Sequence, residues 1–181
     1  VKSGGITRRA AKMDVQHINH PEVMPFIDWK VDSEKQVRAL VASGLYTPQE
    51  AYTQVSGQNS NNSVRVHDKF MKAAEEDKNV DFIEVKTGDV KSSMPARELL
   101  IHMAAATHIS GDPGLQYDDM IQKMNPVKNS GRINTSNPCS EYMFLDNSAC
   151  NLGSHNLKKF LDEEGDFEIE KYQHAVRIAT L

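Results

Sequence analysis

The chain has 181 residues, 39% hydrophobic and 25% charged, with a formal net charge of −4, a pI near 6.0 and a mean hydropathy of −0.56. This is the balance of an ordinary soluble protein, and it leaves no electrostatic footprint for broad nucleic-acid or membrane-surface binding. No apolar run approaches the roughly 18–20 residues of a transmembrane helix, no signal-peptide pattern opens the chain, and two cysteines are too few for a disulfide scaffold.

There is no Cys-x-x-Cys, and the seven histidines do not fall near the thiols at metal-ligand spacing, which argues against a structural zinc site. A reducing, cytoplasmic location is the expectation. The chain opens on Val1-Lys2 and closes on Thr180-Leu181 inside an apolar helical pattern, so it reads as an internal piece of a longer protein.

In chain order, Val1–Lys12 holds a Gly-Gly pair followed by two arginines. It reads either as a turn with a solvated basic patch or as a loop whose backbone approaches a ligand closely. It lacks the Gly-Lys-Ser/Thr ending of a phosphate-binding P-loop. Met13–Ile18 alternates as a short strand. A helix is expected near Glu22–Lys30, with Pro21 in its first turn. A second is expected over Ser33–Ser43, capped by Asp32 or Ser33, with Val37, Leu40 and Val41 inward and Gly44 as its stop. Thr47-Pro48 caps another over Gln49–Val55.

Gln58–Ser63 is a polar run that reads as a loop, either plain or buried beside a site. Asp68 caps a helix to about Glu76, with Phe70, Met71 and Ala74 inward. Phe82–Val85 is a strand ending in a turn at Thr87-Gly88. Pro95–His108 is the strongest helix, with a stripe of Leu99, Met103 and Ala106. Gly111–Gly114 is a sharp turn before a strand at Leu115–Tyr117, and Pro126–Ser136 is irregular. Further helices are expected near His155–Leu161 and Ile169–Leu181, with a turn at Glu164-Gly165. No repeat or linker composition marks an internal boundary, and alternating strands and helices give an α/β class.

Ser136–Leu152 contains both cysteines, Cys139 and Cys150, eleven residues apart. If this stretch is extended, Asn137, Cys139 and Glu141 share a face in steps of roughly 6–7 Å, and Pro138 favours that geometry. Three readings of the thiols are open: buried structural cysteines, an ionic nucleophile, or redox or radical chemistry. A carboxylate beside a thiol disfavours the thiolate. It suits a neutral thiol that reacts by hydrogen-atom transfer while the carboxylate acts on a substrate hydroxyl.

The run Asn137-Pro138-Cys139-Ser140-Glu141, continued by Tyr142–Asp146 and by Ala149-Cys150-Asn151-Leu152, resembles the active-site segment of adenosylcobalamin-dependent (class II) ribonucleotide reductases. Ser3-Gly4-Gly5 with Thr7–Met13, His20-Pro21-Glu22, Gln58–Val66 and Gly111–Asp119 resemble the same family in the same order. The resemblance implies part of a ten-stranded α/β barrel over 1–181, with the radical cysteine on an inner finger loop. It implies that Cys139 is the thiyl site, formed when the cobalt–carbon bond of adenosylcobalamin breaks, and that it takes the ribose 3′-hydrogen. It further implies that Glu141 accepts the 3′-hydroxyl proton, that Asn137 binds the ribose hydroxyls, and that Cys150 is one half of the reducing dithiol. Gly4, Gly5, Arg8 and Arg9 would belong to a loop contacting the substrate base or a deoxynucleotide effector.

The implied partners are a ribonucleoside diphosphate or triphosphate, a thioredoxin- or glutaredoxin-type reductant, and a second copy in a homodimer. The implied dithiol partner of Cys150 lies upstream of Val1, so Cys139 and Cys150 are not expected to pair with each other. Asp14 and His155 stand where the resemblance leads one to expect apolar residues. A di-iron-dependent reductase shares the Asn-x-Cys-x-Glu core, and a non-catalytic nucleotide-binding regulatory domain with structural cysteines is the rival of another class. Residues 1–181 alone are expected to be inactive; ribonucleotide reduction by the purified piece would show otherwise.

Overall fold

The computed structural model describes residues 11–150 and 152–181, which divide between Asp146 and Asn147 into two compact units. The first is built on three parallel strands, β1 (Lys12–His17), β2 (Ser60–Val66) and β5 (Gly114–Tyr117), with β2 in the middle. Helices α1 (Val23–Ala42) and α2 (Pro48–Gln54) join β1 to β2. The return to β5 runs through α3 (Asp68–Glu75), an antiparallel hairpin of β3 (Asn79–Ile83) and β4 (Val90–Pro95), and α4 (Ala96–Ser110). Helix α5 (Asp118–Met124) follows β5, and a short hairpin of β6 (Thr135–Ser136) and β7 (Met143–Phe144) closes the unit. Parallel strands need such crossover connections, and the α/β expectation holds. Among the described residues no helix is long and apolar enough to cross a membrane.

Register gives the sheet two different faces. Gln16, Val64 and Leu115 are aligned across the three strands, as are His17, Arg65 and Gln116. Neighbouring residues along a strand point to opposite sides. The Val64–Val66 side joins Ile18, Val23 and Ile27, with Phe70, Leu99 and Met103, in one buried apolar cluster. Each large side chain there contributes roughly 1.5–3 kcal/mol on burial. The Arg65–Gln116 side is polar and faces the closing hairpin.

Several elements differ from expectation. The two helices expected between Glu22 and Ser43 are one continuous helix. Pro25 lies in its first turn, where backbone N–H groups have no intrahelical partner to lose. Ser33 does not start a new helix; its hydroxyl donates to the Trp29 carbonyl one turn back (3.0 Å). Val31 and Val37 are buried, so tertiary packing carries the helix through the apparent break. Gly44, with φ +74°, ends it as expected.

The polar run at Gln58–Ser63 is not a loop. Its last four residues begin the central strand, with ladder bonds to β1 and β5 on both sides. Its polar side chains bond partly among themselves, while Asn62 Nδ2 is buried with no hydrogen-bond partner among the described residues. The Ser60 hydroxyl contacts the Asp14 carboxylate and lies 2.9 Å from Asn62 Oδ1. Burial pushes the Asp14 carboxyl up, but hydrogen bonds from Ser60 and Lys12 more than offset this and leave it below its ordinary value. The position that looked wrong for a strand is therefore a polar anchor. Helix α3 is capped by His67, whose side chain accepts from the Phe70 N–H, rather than by Asp68. Strand β4 and helix α5 lack a strong apolar period and were not expected.

The second unit holds Cys150 in irregular chain, then a single 3₁₀ turn (Leu157–Phe160) in place of the helix expected near His155–Leu161. Helix α6 (Ile169–Thr180) follows the Gly165 turn. His155, Phe160 and Phe167 surround Tyr172 edge-on, with ring centroids 5.7, 5.2 and 5.4 Å from it. His155 therefore works as an aromatic ring in this partly exposed cluster.

Gly57 has φ +76°, and a Cβ there would run into the indole of Trp29; Gly44 has a similar φ and open space around it. Gly44→Ala is expected to cost about 1–2 kcal/mol from backbone strain alone, and Gly57→Ala to cost about 1–3 kcal/mol more from overpacking. Urea unfolding of the two variants checks the difference.

Candidate active site

Asn137, Cys139 and Glu141 are not spread along an extended strand. The chain turns sharply between β6 and β7. The Ser140 N–H donates to the Asn137 carbonyl (3.0 Å), closing a four-residue turn with Pro138 at its second position, the place proline favours. Ser140 has φ +63°, a left-handed conformation uncommon outside glycine. The turn gathers the amide, the thiol and the carboxylate at a hairpin tip. Proline's fixed φ serves a turn here as readily as it would serve a strand.

Asn137 also acts within the hairpin. Its Oδ1 accepts from the Tyr142 N–H (3.0 Å), and its own N–H donates to the Tyr142 carbonyl (3.4 Å). Its Nδ2 makes no hydrogen bond among the described residues and is available to a ligand. Tyr142 stacks on Phe144, centroids 5.0 Å apart, and stiffens the outgoing strand. Cys139 and Glu141 are exposed and Asn137 is half-buried. Both cysteines are free thiols.

A buried polar assembly ties this hairpin to the sheet. Arg65, on β2, has a fully buried side chain. Its Nη1 donates to Gln116 Oε1 (2.9 Å), on β5, and its Nη2 donates to the Ile133 carbonyl. Its Nε lies 3.1 Å from Asp118 Oδ1, close enough to pair in charge but not aligned as a hydrogen bond. Burial pulls the Arg65 guanidinium below its ordinary value, and the Asp118 carboxylate opposes that pull. Asp118 also binds Arg132 through its other oxygen. Gln116 Nε2 then reaches Ser136 Oγ (2.9 Å) and Ser140 Oγ (3.3 Å), the residues on either side of the Asn-Pro-Cys run.

The structure thus places Asn137 and Cys139 on one turn and Glu141 directly after it. Cys150 lies in the second unit, exposed in irregular chain. Gly4, Gly5, Arg8 and Arg9 lie outside the described residues. The sequence motifs assign no role to Arg65, Gln116, Asp118, Arg132, Ser136 or Ser140. One signal was present: an arginine between two valines, Val64-Arg65-Val66, in a run bounded by polar residues. A charge within a strand that buries both neighbours needs a partner.

A family model described as "Ribonucleotide reductase, barrel domain" matches residues 1–181. The vitamin B12-dependent ribonucleotide reductase of Streptomyces avermitilis is 46% identical over 184 residues, covering 98% of this chain and 19% of that protein. The enzyme of the same name from Rhodopirellula baltica is 46% identical over 181 residues, covering 98% of this chain and 17% of that protein. The vitamin B12-dependent ribonucleoside-diphosphate reductase of Thermoplasma acidophilum is 34% identical over 180 residues, covering 99% and 21%. The chain therefore spans about a fifth of the length of the curated relatives it matches. Its parallel strands with helices packed on one face fit part of an α/β barrel wall.

Removing one member of a buried pair leaves an uncompensated charge. Asp118→Asn is expected to destabilise the protein by about 3–5 kcal/mol. Arg132, half-exposed, is expected to matter by less than about 1 kcal/mol when changed to Ala. Denaturant titration of both variants, with the double variant to expose coupling, checks the contrast.

Proposed function

We propose, because this chain belongs to the ribonucleotide reductase barrel-domain family, that it supplies the reacting hairpin of an enzyme converting ribonucleotides to 2′-deoxyribonucleotides. The observation that carries this reading is the anchored turn, which presents an exposed thiol, Cys139, with Asn137 two residues before it and the exposed Glu141 two residues after it.

The residues present fit adenosylcobalamin as the cofactor. The Cys139 thiol is open to approach by a large group. The names of the relatives support this class over the di-iron one. When bound, this cofactor supplies an acceptor for the hydrogen atom of the Cys139 thiol.

In this mechanism Cys139 reacts as a neutral thiol, and its thiyl form takes the hydrogen atom from ribose C3′. Glu141 accepts the 3′-hydroxyl proton. Asn137 donates from Nδ2 to a ribose hydroxyl, since its Oδ1 is held by Tyr142. The 2′-hydroxyl leaves as water, and Cys150 with a second thiol supplies two electrons and becomes a disulfide. Cys139 returns its hydrogen atom to C3′. One ribonucleotide and one dithiol thus give one deoxyribonucleotide, one water and one disulfide.

Reduction of that disulfide calls for a thioredoxin- or glutaredoxin-type partner. The name of the Thermoplasma acidophilum relative supports a diphosphate substrate. Gly4, Gly5, Arg8 and Arg9 are proposed as contacts to substrate base or effector deoxynucleotide, on resemblance alone. The same reading takes residues 1–181 as a single part of the barrel, in a cytoplasmic homodimer.

The test is turnover of the full-length protein with cytidine or adenosine nucleotides, with and without adenosylcobalamin. Activity is expected only with the cofactor, and cobalamin-independent activity would sink the assignment. Cys139→Ser should abolish turnover while nucleotide binding persists, and Glu141→Gln should lower kcat by roughly 10²–10⁴. Intact turnover in Cys139→Ser would favour a non-catalytic domain instead.

A further inference from the structure

We propose that Gln116, oriented by Arg65, is a positioning residue for Cys139, setting the thiol's place through the two serines that flank its turn. This rests on the reading of Cys139 as the reacting thiol. The argument begins with donor and acceptor inventories. An arginine carries only donors. With Arg65 Nη1 at 2.9 Å, Gln116 must turn its Oε1 toward the guanidinium. Its Nε2 is thereby aimed the other way, and its two hydrogens match two acceptors, Ser136 Oγ at 2.9 Å and Ser140 Oγ at 3.3 Å. The orientation of this amide is therefore not arbitrary, although nitrogen and oxygen are alike in size.

Both serines bear on the turn. Ser136 Oγ donates to the Asn137 carbonyl (2.9 Å), the same carbonyl that closes the turn by accepting from the Ser140 N–H. Ser140, directly after Cys139, holds the left-handed φ of +63°. Nothing in its own chemistry favours that conformation as glycine would, so an outside contact has to hold it. Cys139 makes no hydrogen bond of its own among the described residues, and its place is inherited from the backbone on either side. Gln116 and Arg65 are each 1% exposed and lie at paired positions of the parallel sheet. The fixed end of this linkage is thus buried in the paired sheet, and the free end is the turn carrying the thiol. A reacting atom misplaced by about 1 Å can lose roughly 10² in rate, so such a linkage acts on the chemical step without touching substrate.

The experiment uses the full-length holoenzyme and two readouts. Gln116→Met keeps bulk but removes both hydrogen-bonding ends. Ser140→Ala removes only the contact, and Ser140→Gly removes the contact while easing the backbone. Hydrogen exchange followed by mass spectrometry reads the turn directly. Gln116→Met should raise exchange of the 137–142 amides about tenfold or more relative to the β2 amides. Turnover should show kcat down about 10- to 100-fold, with the nucleotide KM within about threefold. Ser140→Gly should retain more kcat than Ser140→Ala.

Unchanged exchange in the 137–142 segment of a folded Gln116→Met variant would overturn the proposal. So would lost protection with unchanged kcat in an enzyme that still requires Cys139. A merely structural role would lower Tm and leave kcat per folded enzyme intact, which also counts against it. If Gln116→Met does not fold, the Ser140 pair decides: equal exchange and equal kcat in Ala, Gly and wild type would overturn it. Full turnover by Cys139→Ser would instead remove the reading beneath, a result distinct from all of these.

Discussion

A guanidinium does not shed its charge inside a protein, so Arg65 dictates what must surround it. Its side chain is fully buried on the middle strand of a parallel sheet. The buried charge needs partners, and they come from parts of the chain far apart in sequence. Gln116 comes from the neighbouring strand, Asp118 from the first turn of α5, and the Ile133 carbonyl from the run leading into the hairpin. Satisfying one buried cation draws together the wall, a helix start and the reacting loop. Buried ion pairs seldom add net stability over an apolar core, but a half-satisfied one is costly. The value of this cluster is therefore best read as specificity, since it excludes arrangements that leave the hairpin elsewhere.

The two faces of the sheet divide the work accordingly. On one side Val64 and Val66 meet α1, α3 and α4 in an apolar cluster that supplies the driving force for folding. On the other side, one residue along, polar groups hold the loop that carries the thiol. Strand alternation by itself generates this arrangement. A one-residue slip of β2 would send Arg65 into the core and Val64 toward the hairpin, so register and site placement are the same constraint.

The hairpin itself is short. Beyond β6 and β7 it is held by the Asn137–Tyr142 contacts and the Tyr142–Phe144 stack. Using Asn137 Oδ1 as a backbone acceptor leaves a donor-only amide edge beside an acceptor-only carboxylate at Glu141. That pairing of unlike hydrogen-bonding characters suits a sugar hydroxyl pair, where one oxygen must be held and another must give up its proton.

The sequence by itself determined the element types with strong local signals: the helix at Pro95–His108, the cap at Thr47, the stop at Gly44, the turn at Gly111–Gly114, and the strand at Met13–Ile18. It also marked Asn137, Cys139 and Glu141 as a set, because their spacing and chemistry are local facts. Tertiary structure decided what depended on distant partners. Whether Lys30–Ser33 broke a helix turned on packing of Val31 and Val37. Whether Gln58–Ser63 was a loop turned on polar partners at Asp14 and strands on both sides. Whether Pro138 extended the chain or turned it turned on serines reached by Gln116. An arginine between valines announced that a partner must exist, but only the fold could name Gln116 and Asp118, because more than fifty residues of chain return before either arrives.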